Sequence, residues 1–141
     1  MQWYEGEDRR SPEPDGQVVE LAAFLRGGTA RSGPALMWSE QEEPAPDCSA
    51  DALAAALERE LARPVLAVPD RLAGPWQHGH AAVLLVQRRG AAAVQLSPPP
   101  GSAAGRSTLR LRAAQCLLVP ADWSYRLDPG SPVRPLVLAL P

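Results

Sequence analysis

From Pro64 to its end the chain is a succession of short apolar runs separated by turn residues, and this constrains the fold more than any other feature. The runs are PVLAV (64–68), AAVLLVQ (81–87), AAVQLS (92–97), STLRLR (107–112), QCLLVP (115–120), WSYRL (123–127) and PVRPLVLAL (132–140). Each is too short for a typical helix and is bounded by Gly, Pro or polar residues, so each predicts a strand. STLRLR alternates strictly, which predicts Leu109 and Leu111 facing a core and Arg110 and Arg112 facing water. The linkers SPPPGSAAGR (97–106) and DPGSP (128–132) are turn material. Many short strands punctuated in this way, with no internal repeat, predict a mainly β barrel or sandwich.

Two helices are expected ahead of the strands. QVVELAAFLRGG (17–28) carries Val18, Leu21, Phe24 and Leu25 at helical spacing and stops at Gly27 and Gly28. SADALAAALERELARP (49–64) is the clearest element. Ser49 can cap it, Asp51 suits the dipole at its start, and Leu53, Leu57 and Leu61 form one stripe. Pro64 ends it. Its charges Glu58, Arg59, Glu60 and Arg63 read as a solvated face. ALMW (35–38) is a candidate strand, and SEQEEPAPDCS (39–49) a polar loop in which Glu42 and Glu43 are solvated. Residues 1–16 are acidic and Pro-rich and are expected to be loose. The expected organisation is therefore one domain over 17–141, helical over 17–63 and β over 64–141.

Composition removes several functions. A net charge of −2 gives no case for nucleic acid or an anionic membrane as partner. All 14 basic residues are Arg, so Schiff-base chemistry and a phosphate-loop lysine are absent. RGGTARSG (26–33) lacks the strand–loop–helix context of a phosphate loop. Cys48 and Cys116 have no CxxC spacing, and Cys116 in CLLVP reads as a buried thiol. No stretch is long enough for a membrane span, and the start does not resemble a signal peptide, so the default location is the cytoplasm. There is no G-x-S-x-G, and no triad partner away from the paired histidines. Trp38, Trp76 and Trp123 read as core or barrel-mouth packing. Arg88, Arg89, Arg110 and Arg112 read as surface charge.

The two histidines of the chain stand together in GPWQHGHAAVLLVQRRG (74–90). In a strand, residues i and i+2 share a face, so His78 and His80 could open into the same cavity. A non-haem iron site needs two His and one carboxylate on one face.

Residues 51–127 resemble a cupin, and more closely the cupin-type JmjC hydroxylases related to bacterial ribosomal-protein oxygenases. The pieces in order are the helix DALAAALERELARPV, His78-Gly79-His80 at the family's H-x-D position, a strand ending at Gln87, Gly90, VQLSPPP, and AAQCLLVPADWSY. The cupin spacing G-x5-P-x-G-x2-H falls on Ala114, Pro120, Asp122 and Tyr125. The resemblance implies a small jelly-roll cupin barrel with two helices before it. It also places His78, His80 and Tyr125 at the metal positions, with Asp122 as an alternative third ligand, and Trp76, Gln87 and Trp123 beside the pocket. The chain departs from the pattern where His80 replaces the carboxylate, Tyr125 the distal His, and Ala114 and Asp122 the glycines. Two functions follow. One is a degenerate JmjC-like cupin acting as a binding or accessory protein, with no metal or a divalent one (Fe, Zn or Ni) at His78 and His80. The other is a metal-dependent oxygenase, or another cupin enzyme, acting on a peptide or small molecule. 2-Oxoglutarate is not expected as cosubstrate, because only Arg could hold its far carboxylate and the Arg residues read as surface. The expected partner is a small molecule or peptide, with homodimer formation through exposed strands left open.

Overall fold

A computed structural model describes residues 16–28, 33–38, 49–68, 76–78, 81–131 and 133–141. Residues 1–15, Cys48, the Glu42–Glu43 pair and His80 lie outside them.

Helix α1 spans Gly16–Gly28 and α2 spans Ala50–Leu61. Helix α2 starts where the sequence places it. The Ser49 hydroxyl accepts from the Ala52 amide at 3.1 Å, and Asp51 stands in the first turn. It ends at Ala62, whose φ of 56° is left-handed and whose amide donates to the Glu58 carbonyl. Pro64 follows two residues on. Leu53 and Leu57 are buried, as are Val18, Leu21 and Leu25 of α1. The charges of α2 do more than face water. A Glu58 carboxylate oxygen accepts from the Val65 amide at 3.1 Å, and Arg63 donates to the Pro141 carbonyl at 2.9 Å. Glu60 receives Arg26 of α1 on its carbonyl at 2.8 Å.

The nine strands are β1 (Ala35–Trp38), β2 (Leu66–Ala67), β3 (Gln77–His78), β4 (Ala82–Gln87), β5 (Ala91–Ser97), β6 (Ser107–Arg112), β7 (Gln115–Val119), β8 (Ser124–Leu127) and β9 (Leu136–Leu140). They form two antiparallel sheets, ordered β1-β7-β4-β9-β2 and β3-β8-β5-β6. The fold is mainly β with two helices. The pairings β5–β6, β4–β7, β3–β8 and β2–β9 are nested, as in one long hairpin wound over itself. Two details differ from the sequence expectation. β3 is a two-residue strand with no apolar run of its own. β1, ahead of α2 in the chain, joins the first sheet beside β7.

The central strands of the first sheet, β7, β4 and β9, are buried on both faces. Leu84, Val86, Cys116, Leu118 and Leu138 face the helices. Val83, Leu85, Leu117, Val119 and Val137 face the second sheet. This double burial is why β4, β7 and β9 read as unbroken apolar runs. The second sheet has one wet face, so β5, β6 and β8 alternate. Val94, Leu96, Leu111, Tyr125 and Leu127 point inward, and Arg110 and Arg112 are exposed as expected. Among the described tryptophans Trp38 is the exception at 67 % exposed, because β1 is an edge strand.

Candidate functional site

β3 and β8 carry the region singled out by the histidine pair. Their register sets Gln77 opposite Tyr125 and His78 opposite Ser124. The side chain of His78, and all of Gly79 and His80, lie outside the described residues. Tyr125 is 6 % exposed and packs in the cluster between the sheets. Burial raises its phenol above the ordinary tyrosine value, so it is neutral near pH 7. Asp122 is exposed in the turn before β8, where the Trp123 amide donates to the Pro120 carbonyl at 3.1 Å. Trp123 is half-buried against the inter-sheet cluster. Among the described residues no three of His, Cys, Asp and Glu come together as a group that could hold a metal ion.

The turn from β6 to β7 holds one of the two non-glycine residues at positive φ among the described residues. Ala114 has a φ of 71° and its amide donates to the Gln87 carbonyl at 3.0 Å. Ala114 thus adopts the left-handed backbone that favours glycine. Asp122, in the turn before β8, is not at positive φ.

Gln87 is buried at the end of β4, opposite Gln115 of β7. Its amide nitrogen donates to the carbonyls of Arg89 (2.8 Å) and Val133 (3.1 Å), pinning the β4–β5 turn to the approach to β9. Its oxygen is buried with no hydrogen-bond partner among the described residues. Gly90 in that turn has a φ of 68°, and a Cβ there would lie 2.9 Å from a Val133 methyl. Gln115 in turn accepts from the Arg112 amide at 2.7 Å. The two glutamines hold the backbone at this end of the sheets.

The outer face of the second sheet is different in character. The outward residues of β5 are Ala91, Ala93 and Gln95, which are short or of moderate length. Across the register stand Arg112 opposite Ala91, Arg110 opposite Ala93, and Thr108 and Arg126 on either side of Gln95. β5 is thus the floor of a groove whose walls rise from β6 and β8. At one end the Arg106 guanidinium lies over the Trp76 ring, 5.0 Å from its centroid. A hollow of about 340 Å³ opens there, lined by Trp76, Gln95, Arg106, Ser107, Thr108 and Arg126. A second, of about 320 Å³, adjoins it through Thr108 and reaches Arg110 and Asp128. The far end is stitched to β5. The Ala93 amide donates to the Ser131 hydroxyl and the Asp128 amide to the Ala93 carbonyl, each at 3.1 Å. An Asp128 carboxylate oxygen accepts from the Gly130 amide at 2.9 Å.

Sequence alternation placed Arg110 and Arg112 outward, but did not bring Arg106, Arg126 and Trp76 to them. That grouping depends on β8 pairing with β5, a contact that no local pattern encodes. A scan against protein-family models finds no match to the chain, and a search of curated proteins finds none either. Among the described residues no helix is long and apolar enough to cross a membrane.

Proposed function

We propose that the chain is a degenerate JmjC-like cupin, a jelly-roll that acts as a binding or accessory module rather than as an iron and 2-oxoglutarate oxygenase. The nested strand order supports the jelly-roll, since it is the order that a folded-over long hairpin produces. The positive φ of Ala114 supports the cupin spacing. The observation that carries the function is the filling of the space between the sheets. Leu85, Val94, Leu96, Leu111, Leu117 and Tyr125 pack there, where a cupin would hold its metal and substrate. The described polar hollows lie outside that space. The module's ligand is a peptide or small molecule, and its setting is cytoplasmic.

The second reading, a metal-dependent enzyme working through His78 and His80, rests on the sequence resemblance, since the register sets Gln77 opposite Tyr125 and His78 opposite Ser124. Two neutral imidazoles without a carboxylate favour Zn(II) or Ni(II) over Fe(II). The test is metal content after purification without added metal, for the parent and for His78→Ala with His80→Ala, together with succinate formation from 2-oxoglutarate under Fe(II) and oxygen. No succinate and equal, substoichiometric metal in both proteins are expected. Succinate formation lost in His78→Ala would overturn the module.

A further inference from the structure

The geometry points to the outer face of the second sheet as a docking groove for an extended acidic peptide, read by Arg106, Arg110, Arg112 and Arg126. This rests on the binding-module reading and names its partner. The chain is net acidic at −2, yet four of its 14 Arg residues stand on this one face. The one carboxylate lining either hollow is Asp128, already turned to the Gly130 amide. None of the four arginines has an ion-pair partner among the described residues. Charges of one sign gathered without a counter-charge among the described residues repel one another. A carboxylate partner removes that repulsion and accepts from the guanidinium fork.

The spacing suits an extended chain. Outward positions on a strand recur every ~7 Å, so Arg110 and Arg112 on β6 present their charges one such step apart, with Arg106 just ahead of the strand. Alternate side chains of an extended peptide recur at the same interval. The floor from Ala91 to Ser97 is about 20 Å long at the rise of a strand, and its alanines leave room for a peptide backbone between the two walls. Nucleic acid fits less well. The net negative charge supplies no long-range attraction to a polyanion. Trp76, the aromatic ring among the described residues lining these hollows, already carries Arg106 over one face, which competes with a stacked base there.

Fluorescence anisotropy of the full chain with a labelled short peptide of alternating Glu and Ala tests the groove. The comparisons are the same peptide with Gln for Glu and a labelled oligothymidylate. The Glu peptide should bind at least about tenfold more tightly than the Gln peptide, and less tightly as salt rises. Arg110→Glu with Arg126→Glu should weaken it by about tenfold or more. Arg126→Gln is a milder second variant, expected to weaken binding severalfold, with circular dichroism reporting the fold of each. The proposal is overturned by absence of Glu-peptide binding, by equal binding of the Gln peptide, by undiminished binding to the folded variants, or by tighter binding of the oligonucleotide. Loss of the groove in this way leaves the accessory module standing with another ligand. Succinate formation would overturn the module while leaving the groove's peptide affinity as measured.

Discussion

Among the described residues Cys116 and Tyr125 are the two groups whose titration burial moves most clearly. The Cys116 thiol is pushed up from its ordinary value of 9.0 to about 12, chiefly by burial and further by the negative charge of Glu20. The Tyr125 phenol rises in the same direction through burial alone. Both groups are neutral when protonated, so the fold favours the protonated form. Their contribution is therefore complete below the unfolded-state values and is lost as pH climbs through the folded ones. Stability should fall from about pH 9 upward. Replacing the thiol by Cys116→Val removes one of the two groups, so the decline in urea midpoint between pH 9 and 11 should be shallower than in the parent. An unchanged slope would show that the thiol ionises in the folded protein as freely as in the unfolded chain.

At the scale of the element, the β6–β7 turn and the turn before β8 separate backbone need from sequence pattern. Ala114 sits at a φ of 71°, which costs an L-residue with a Cβ about 1 kcal/mol relative to glycine. Ala114→Gly should therefore stabilise the protein by up to about 1 kcal/mol in chemical denaturation. Asp122 has no such backbone demand. Asp122→Gly should give no gain and cost a few tenths of a kcal/mol, because it only frees the unfolded chain. Equal gains at both positions would contradict the turn geometry. The strong α2 cap belongs to the same scale. Ser49, Asp51 and the leucine stripe were legible because capping and periodicity act within a few residues of each other. β3 was not legible, because a two-residue strand owes its conformation to β8 rather than to its own side chains.

The whole molecule is layered, with the helices on one face of the first sheet and the second sheet on the other. Leu84 is fully buried under the helices and Leu111 fully buried between the sheets. Truncating either to Ala should cost about 2–5 kcal/mol, since the cavity adds to the lost transfer energy. If the layers unfold together, both variants shift one shared transition, seen identically by far-ultraviolet circular dichroism and by tryptophan fluorescence. Two separated transitions would mean that the helix layer and the inter-sheet core melt independently.

By itself the sequence determined the two helices, the positions of most strands and the burial of alternate residues in β6, because these follow from spacing along a single segment. It also excluded Schiff-base and phosphate-loop chemistry through the absence of lysine. The tertiary structure decided that β1 joins the first sheet, that Tyr125 stands opposite Gln77, and that Gln87 spends its amide donors on the Arg89 and Val133 carbonyls. It also gathered Arg106, Arg110, Arg112 and Arg126 around the floor of β5. Those facts depend on which strands pair, and pairing joins residues far apart in the chain through backbone bonds that carry no local side-chain signature.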